Sequence, residues 1–248
     1  MSPSLEALNH RISRHFLGRL VTSARGRAWI LWQASEAESD DEGRFFELLI
    51  ARVDDPELHK MIRVHQADEE RHAQLYAECA ERTGAPRPTI PAELKLFDRL
   101  DRALGGFFAG FEADRRSVME AYLLLQVLEE RAVTQFALLA PAFRAVDPRT
   151  SDVIDRIAAD EERHLKYCRA ISRRYAPDPK THADTLRRMR DVESRAFAEH
   201  ARANMRHALE RDLLGGPRAE RLLWRGLLAI GDRRQPSIRT AYWGQSPA

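Results

Sequence analysis

The stretch Asp68-Glu69-Glu70-Arg71-His72 occurs a second time, letter for letter, as Asp160-Glu161-Glu162-Arg163-His164. In each copy a Glu and a His stand three residues apart. On an α-helix that spacing places both side chains on one face, a turn from each other. A carboxylate and an imidazole on one face can hold one metal ion, and two such helices facing each other can hold two. A single Glu-x-x-His is most often a solvated helix face. Two identical copies, each on an apolar-striped segment with a glutamate at matching distance upstream, favour a metal site instead.

Upstream, each copy is preceded by an Asp-Pro pair. Pro56 precedes Glu69 by thirteen residues, and Pro148 precedes Glu161 by thirteen. Aspartate caps a helix and proline suits its first turn, so a helix opens at each pair. The copy-bearing helices then span about 56–82 and 147–177. Each forms a hairpin with the helix before it, over 25–52 and 115–143, and Pro141 should bend or end the latter. A long connection, 84–114, joins the hairpins and carries a short amphipathic helix at 91–104. An amphipathic helix over 5–22 precedes them, with Leu5, Leu8, Ile12, Phe16, Leu17 and Leu20 on one side. Helices over 180–214 and 219–230 come after, broken at Gly215-Gly216-Pro217, with an irregular tail from Gly231. No strand pattern competes. The order of hairpin, long crossover and hairpin predicts an all-α fold. Its form is a ferritin-like four-helix bundle with one long crossover, plus an N-terminal helix and two C-terminal helices. The divisions are 1–24 for the N-terminal helix, 25–178 for the di-metal bundle and 179–248 for a C-terminal extension packed on the bundle or on a partner subunit.

Such a bundle needs one further carboxylate from each of the other two helices. Residues equidistant from a hairpin turn sit level. Glu69 lies fourteen residues after Asp55 and Glu38 sixteen before Asp54, which agree within about a turn at 1.5 Å per residue. Glu38 is therefore preferred, with Glu42, one turn on, as its rival. In the second hairpin Glu129 and Glu130 point about 100° apart, so only one faces inward. Leu125, Leu128, Ala132 and Phe136 make a stripe with Glu129, which favours Glu129; aligning the two repeats strictly would favour Glu130. The set is Glu38, Glu69, His72, Glu129, Glu161 and His164. Four carboxylates and two imidazoles suit two iron ions, with manganese as the other candidate, whereas structural zinc favours cysteine and fewer ligands.

A metal-bound His usually donates its other N–H to a carboxylate. Asp68 and Asp160 are placed to serve, each for the His of the opposite helix, with Arg71 and Arg163 pairing to them. His65, on the stripe of His72, reads as a core histidine rather than a hydrogen-bond donor beside the ligands, and Tyr122 as a core tyrosine rather than a redox-active one.

The 248 residues are 44% hydrophobic, enough for a sizeable core, and the net charge of +2 is too small to indicate a nucleic-acid binder. There is no long apolar run and no basic-then-apolar N-terminus, so neither a membrane span nor a signal peptide is expected. Cys79 and Cys168 read as buried thiols of a reducing, cytoplasmic setting. Charge is uneven: residues 181–248 hold thirteen arginines and no lysine against eight acidic residues, a net +5. That face could steer an anionic substrate, but apolar positions such as Met189, Val192, Leu209, Leu222 and Leu227 favour packing, on the bundle or in a homodimer.

At these motifs the chain resembles the ferritin-like di-iron carboxylate proteins. Asp-Glu-x-Arg-His resembles the paired motif of their oxygen-activating branch. A closer likeness is to the MiaE-type tRNA hydroxylases. It rests on Leu128-Glu129-Glu130-Arg131-Ala132, Phe136-Ala137-Leu138-Leu139-Ala140-Pro141 and Val53-Asp54-Asp55-Pro56-Glu57-Leu58, and it covers about residues 25–176. The family's Asp-His-Ala is replaced by Trp32-Gln33-Ala34-Ser35. The resemblance implies a non-haem di-iron hydroxylase using dioxygen and an external electron donor, on tRNA or another anionic substrate, with the ligand set given above. The alternatives are a ferroxidase or peroxidase, and a metal-stabilised binding module without turnover.

Overall fold

Asp-Pro pairs open three of the long helices. The carboxylate satisfies the first free N–H groups, and proline, with no N–H to lose, takes the first turn. The structure is a computed structural model. It describes the backbone of residues 3–234, with side chains except those of 3–10, 40–42 and 230–234. The helices are α1 (Pro3–Val21), α2 (Ala24–Glu36), a π-helical segment (Ala37–Glu42), α3 (Gly43–Arg52) and α4 (Pro56–Glu81). Next come a 3₁₀ turn (Ala92–Leu94), α5 (Leu96–Ala103), α6 (Arg115–Arg144), α7 (Pro148–Tyr175), α8 (Pro179–Glu210) and α9 (Arg218–Arg234). Asp55 accepts from the N–H groups of Glu57 and Leu58, both at 3.1 Å, Asp147 from Thr150 at 3.2 Å, and Asp178 from Lys180 at 2.8 Å and Thr181 at 2.9 Å. Among the described residues the chain is all-helical, and no helix is long and apolar enough to cross a membrane.

The rod formed by α2 and α3 packs on α4, α6 on α7, and α4 meets α7. In that rod the sequence predicts one uninterrupted helix, but a π-helical segment occupies its middle. A π turn closes i→i+5 bonds and so shifts the angular phase of the residues C-terminal to it. Trp29 and Trp32 before it and Phe45, Phe46 and Leu49 after it are all buried. The helix α6 ends at Arg144, within a residue of the expected end, and runs through Pro141, because a proline one turn from the end removes only one late backbone bond. Two boundaries differ from the expected ones. The helix α8 stops at Glu210 rather than 214; Asp212 takes a left-handed φ of 53°, and the Leu213 N–H turns back to the Ala208 carbonyl at 2.8 Å. The helix α9 continues to Arg234, so no irregular tail begins at Gly231, and residues 235–248 lie outside the described residues.

Two apolar layers fill the space between the hairpins. One contains Phe46, Ile62, Leu125, Leu128 and Cys168, the other Trp32, Tyr76, Phe136 and Ile157. On α4, α6 and α7 the residues between these layers are polar, so the candidate ligands form one sheet of charge across the core. A third cluster joins the chain's two ends: Phe16, Leu20, Trp29, Leu209, Leu213 and Trp224 share it. Gly26 permits this joint, since a Cβ there would come within 2.1 Å of the Leu20 carbonyl oxygen and 2.6 Å of that of Leu213. Cys79 and Cys168 are free and buried.

Candidate metal centre

Because α4 and α7 run antiparallel, the two copies of the pentapeptide cross, with residue 68 beside residue 164 and residue 72 beside residue 160. Helical spacing turns Glu69, His72, Glu161 and His164 inward, and Glu129 of α6 joins them; none of the five is more than 4% exposed. Glu38, half-buried, comes from the π-helical segment. The donor atoms fall into two sets, Glu38, Glu69, His72 and Glu161, and His65, Glu69, Glu129 and His164. Within each set they lie within 4.8 Å of one another. Glu69 belongs to both.

The glutamates of the repeats each reach both imidazoles. His72 Nδ1 is 2.9 Å from Glu69 Oε2 and 3.2 Å from Glu161 Oε1, while His164 Nδ1 is 2.8 Å from Glu161 Oε2 and 2.9 Å from Glu69 Oε1. Both rings present Nδ1 to the carboxylates. Each Nε2–H donates to the aspartate of the opposite helix, His72 to Asp160 at 3.3 Å and His164 to Asp68 at 3.2 Å. Arg71 and Arg163 each bind both aspartates, at 2.6 and 3.0 Å and at 2.7 and 2.8 Å. Burial opposes ionisation of Asp68, but Arg71, Arg163 and His164 hold its carboxyl well below the usual carboxylate range. This four-residue lattice fixes tautomer and ring orientation, as partners of metal-bound histidines do.

With no metal, protons balance the charge. Burial would push the His72 and His164 pKa values down; contacts to Glu161 and Glu69 outweigh it and raise them to about 9 and about 10. Burial and the neighbouring Glu69 push Glu161 up, yet its contacts with His164 and His72 leave it below the ordinary range. Four carboxylates beside two imidazolium rings form a cluster in which divalent ions can replace the protons. The donors are oxygen and imidazole nitrogen without thiolate, a set that could hold a metal ion.

Metal binding must displace the imidazole protons, so loading near neutral pH should release up to about two protons per chain, and affinity should rise with pH towards 9–10. In the metal-free protein the sign reverses. Folded pKa values above the unfolded one mean these contacts stabilise fully below about pH 6.5, and that stability is lost as pH rises through about 9 and 10. Indicator titration and pH-dependent melting, with and without metal, check both. Asp68→Asn or Asp160→Asn, in turn, should weaken metal binding about 10- to 100-fold without removing a donor, as read by competition with a chromogenic chelator.

The lone carboxylates separate by position. Glu129 faces the cluster. Glu130 faces α8, where Arg190 holds it at 2.7 and 2.9 Å. The Glu42 side chain lies outside the described residues. His65 is not merely a core histidine: its Nε2 lies 2.6 Å from Glu69 Oε1 and 3.2 Å from Glu129 Oε1. Burial pushes its pKa down, which leaves the imidazole neutral and available as a donor. His65-x-x-x-Glu69-x-x-His72 follows one helical stripe, and that spacing is the signal for it. Tyr76 is influenced by the site: its phenol is pushed well above its usual pKa by burial and by Glu38, Glu161 and Glu69; the Tyr167 ring lies edge-on to His65 and His164, at 5.0 and 5.9 Å between centroids, and Tyr122 lies in the apolar layer. The chain matches no protein-family model, no curated protein and no solved structure.

Proposed function

We propose that the chain is a non-haem di-iron oxidoreductase of the oxygenase type, on a ferritin-like four-helix bundle with one long crossover. The observation that carries this reading is the pair of adjacent donor sets sharing Glu69, with both Nδ1 atoms turned inward and both Nε2–H groups anchored. The likeness of the repeated pentapeptide to the oxygen-activating branch supports oxygenase over ferroxidase. Glu69 and Glu161, each in reach of both imidazoles, would hold metal from the middle of the cluster. His72 and Glu38 would complete one position, and His164 and Glu129 the other, with His65 beside it. Bound iron would supply dioxygen activation with electrons from an external donor. The protein's own part is to keep the rings aligned through Asp68, Asp160, Arg71 and Arg163, and to wall the cluster above and below with the two apolar layers. Tyr76, neutral and buried, holds a proton next to the carboxylates.

The test is anaerobic loading with Fe(II), metal analysis, then polarographic dioxygen uptake with and without NADH and phenazine methosulfate, each trace corrected for the uptake of the same mixture without protein. Two irons per chain, with donor-dependent uptake that continues beyond the iron equivalents, are expected. Uptake that stops once the iron is oxidised would make the chain a ferroxidase. No uptake by a two-iron protein would make it a binding module, and failure to hold two ions would remove the centre itself.

A further inference from the structure

Two hollows reach the cluster from different sides. A polar cleft of about 550 Å³ opens at Glu38 and Glu69, flanked by Glu47, Glu70, Lys95 and Asp98. The other is a cavity of about 360 Å³ between α1, α2, the crossover, α6 and α8. Its walls include Trp29, Ile30, Phe97, Leu128, Phe136 and Met205, and its floor is Glu38, Glu129, Glu161 and Tyr76. Trp29, Phe97, Leu128 and Phe136 are buried. Interiors pack closely and leave few voids larger than a water. An apolar hollow of this size with convergent polar groups at one end is the form of a small-molecule site, at the lower end of the range of roughly 300–1,000 Å³.

We propose that this cavity binds a neutral, mainly apolar organic molecule of one or two ring systems and holds it against the Glu129 and Glu161 side of the cluster. Its role as substrate rests on the oxygenase reading; its binding rests on the cavity alone. Charge decides against an anion. The cations in the lining already face carboxylates: Arg131 holds Glu193 at 2.8 and 2.9 Å and lies 4.2 Å over the Phe197 ring, and Lys95 lies 3.8 Å from Glu36. His200, also in the lining, has its pKa lowered to about 4 by burial and by Arg99, so the ring is uncharged at neutral pH. Polarity is available from neutral groups, with Gln33 Nε2–H donating to Asn204 Oδ1 at 2.6 Å. That pair can exchange hydrogen bonds with one hydroxyl or amine on an otherwise apolar body. Phe197, His200, Asn204 and Met205 all belong to α8, so the C-terminal extension forms one wall of the chamber.

The test is a fluorescence titration of the full-length, metal-loaded protein with N-phenyl-1-naphthylamine, a neutral two-ring-system probe. Adenosine monophosphate and indole serve as competitors, and Ala132→Phe and Ala201→Phe fill the cavity from two sides. Expected are saturable binding of one probe per chain, displacement by indole and not by the nucleotide, and a loss of at least about tenfold in each filled variant, since overfilling a packed space is costly. Metal content and helical signal of each variant show that it has folded. If one variant fails to fold, the other, together with the competitor series, decides. Absence of saturable binding, equal binding in a folded filled variant, or displacement by the nucleotide in preference to indole overturns the inference. If the probe binds as expected but metal analysis finds fewer than two ions, the di-iron reading fails and the cavity stands.

Discussion

Glu69→Ala and Glu161→Ala should each strip the centre of metal. Both carboxylates sit within 3.2 Å of both imidazoles, so in the proposed centre the removal of either is expected to damage both positions at once. Losing an outer hydrogen-bond partner of a ligand costs about 10- to 100-fold in affinity, and losing a shared donor should exceed about 100-fold. Gel-filtered protein analysed for iron or manganese should then carry less than one ion per chain, against two for the parent. The controls are Glu70→Ala and Glu162→Ala. They change the same residue type in the same pentapeptides, but both side chains are exposed, about 100° around the helix from the ligand face. Retained metal in Glu69→Ala, or equal loss in the controls, would mean that the repeat does not hold the metal.

That contrast shows how the sequence carries the site. Helical spacing alone separates Glu69 from Glu70 and Glu129 from Glu130, because a difference of one residue turns a side chain by about 100° and the apolar stripe marks the inner face. Asp68 and Asp160 could be tied to the opposite helix because antiparallel packing of two identical pentapeptides crosses them. The π-helical segment was not legible: it leaves the composition of the rod unchanged, and the level of Glu38 agrees with Glu69 only to within a turn, too coarse a match to register the one residue that a π turn inserts. His65 shares the stripe of His72, yet its approach to Glu129 depends on α6, which sequence spacing along α4 does not report. Tyr76 and the apolar cavity depend on where α1 and α8 settle, and these are contacts between segments far apart in the chain.

Truncation after Asp178 should yield a protein that aggregates, although every metal-binding residue proposed remains in it. The deletion removes α8 and α9, and with them Met189, Val192, Leu209, Leu213 and Leu214, each at most 5% exposed. At about 1.5–3 kcal/mol per buried side chain the loss is about 7 kcal/mol or more, a large share of the roughly 5–15 kcal/mol that typically holds a domain folded. It also uncovers Phe16, Leu20 and Trp29, which share a cluster with the deleted residues. The arginines that give this region its positive charge bear on the same choice. Arg188 holds Glu120 at 2.9 Å and Arg190 holds Glu130 at 2.7 Å, both on α6, so these cations dock the helix rather than line a path for an anionic substrate. Size-exclusion chromatography and thermal melting of the shortened chain decide the matter. Aggregation, or loss of a cooperative melt, fits docking. A soluble protein that keeps two ions and loses only salt-sensitive affinity for anionic polymers would show instead that the extension steers substrate, and that the bundle is complete at Tyr175.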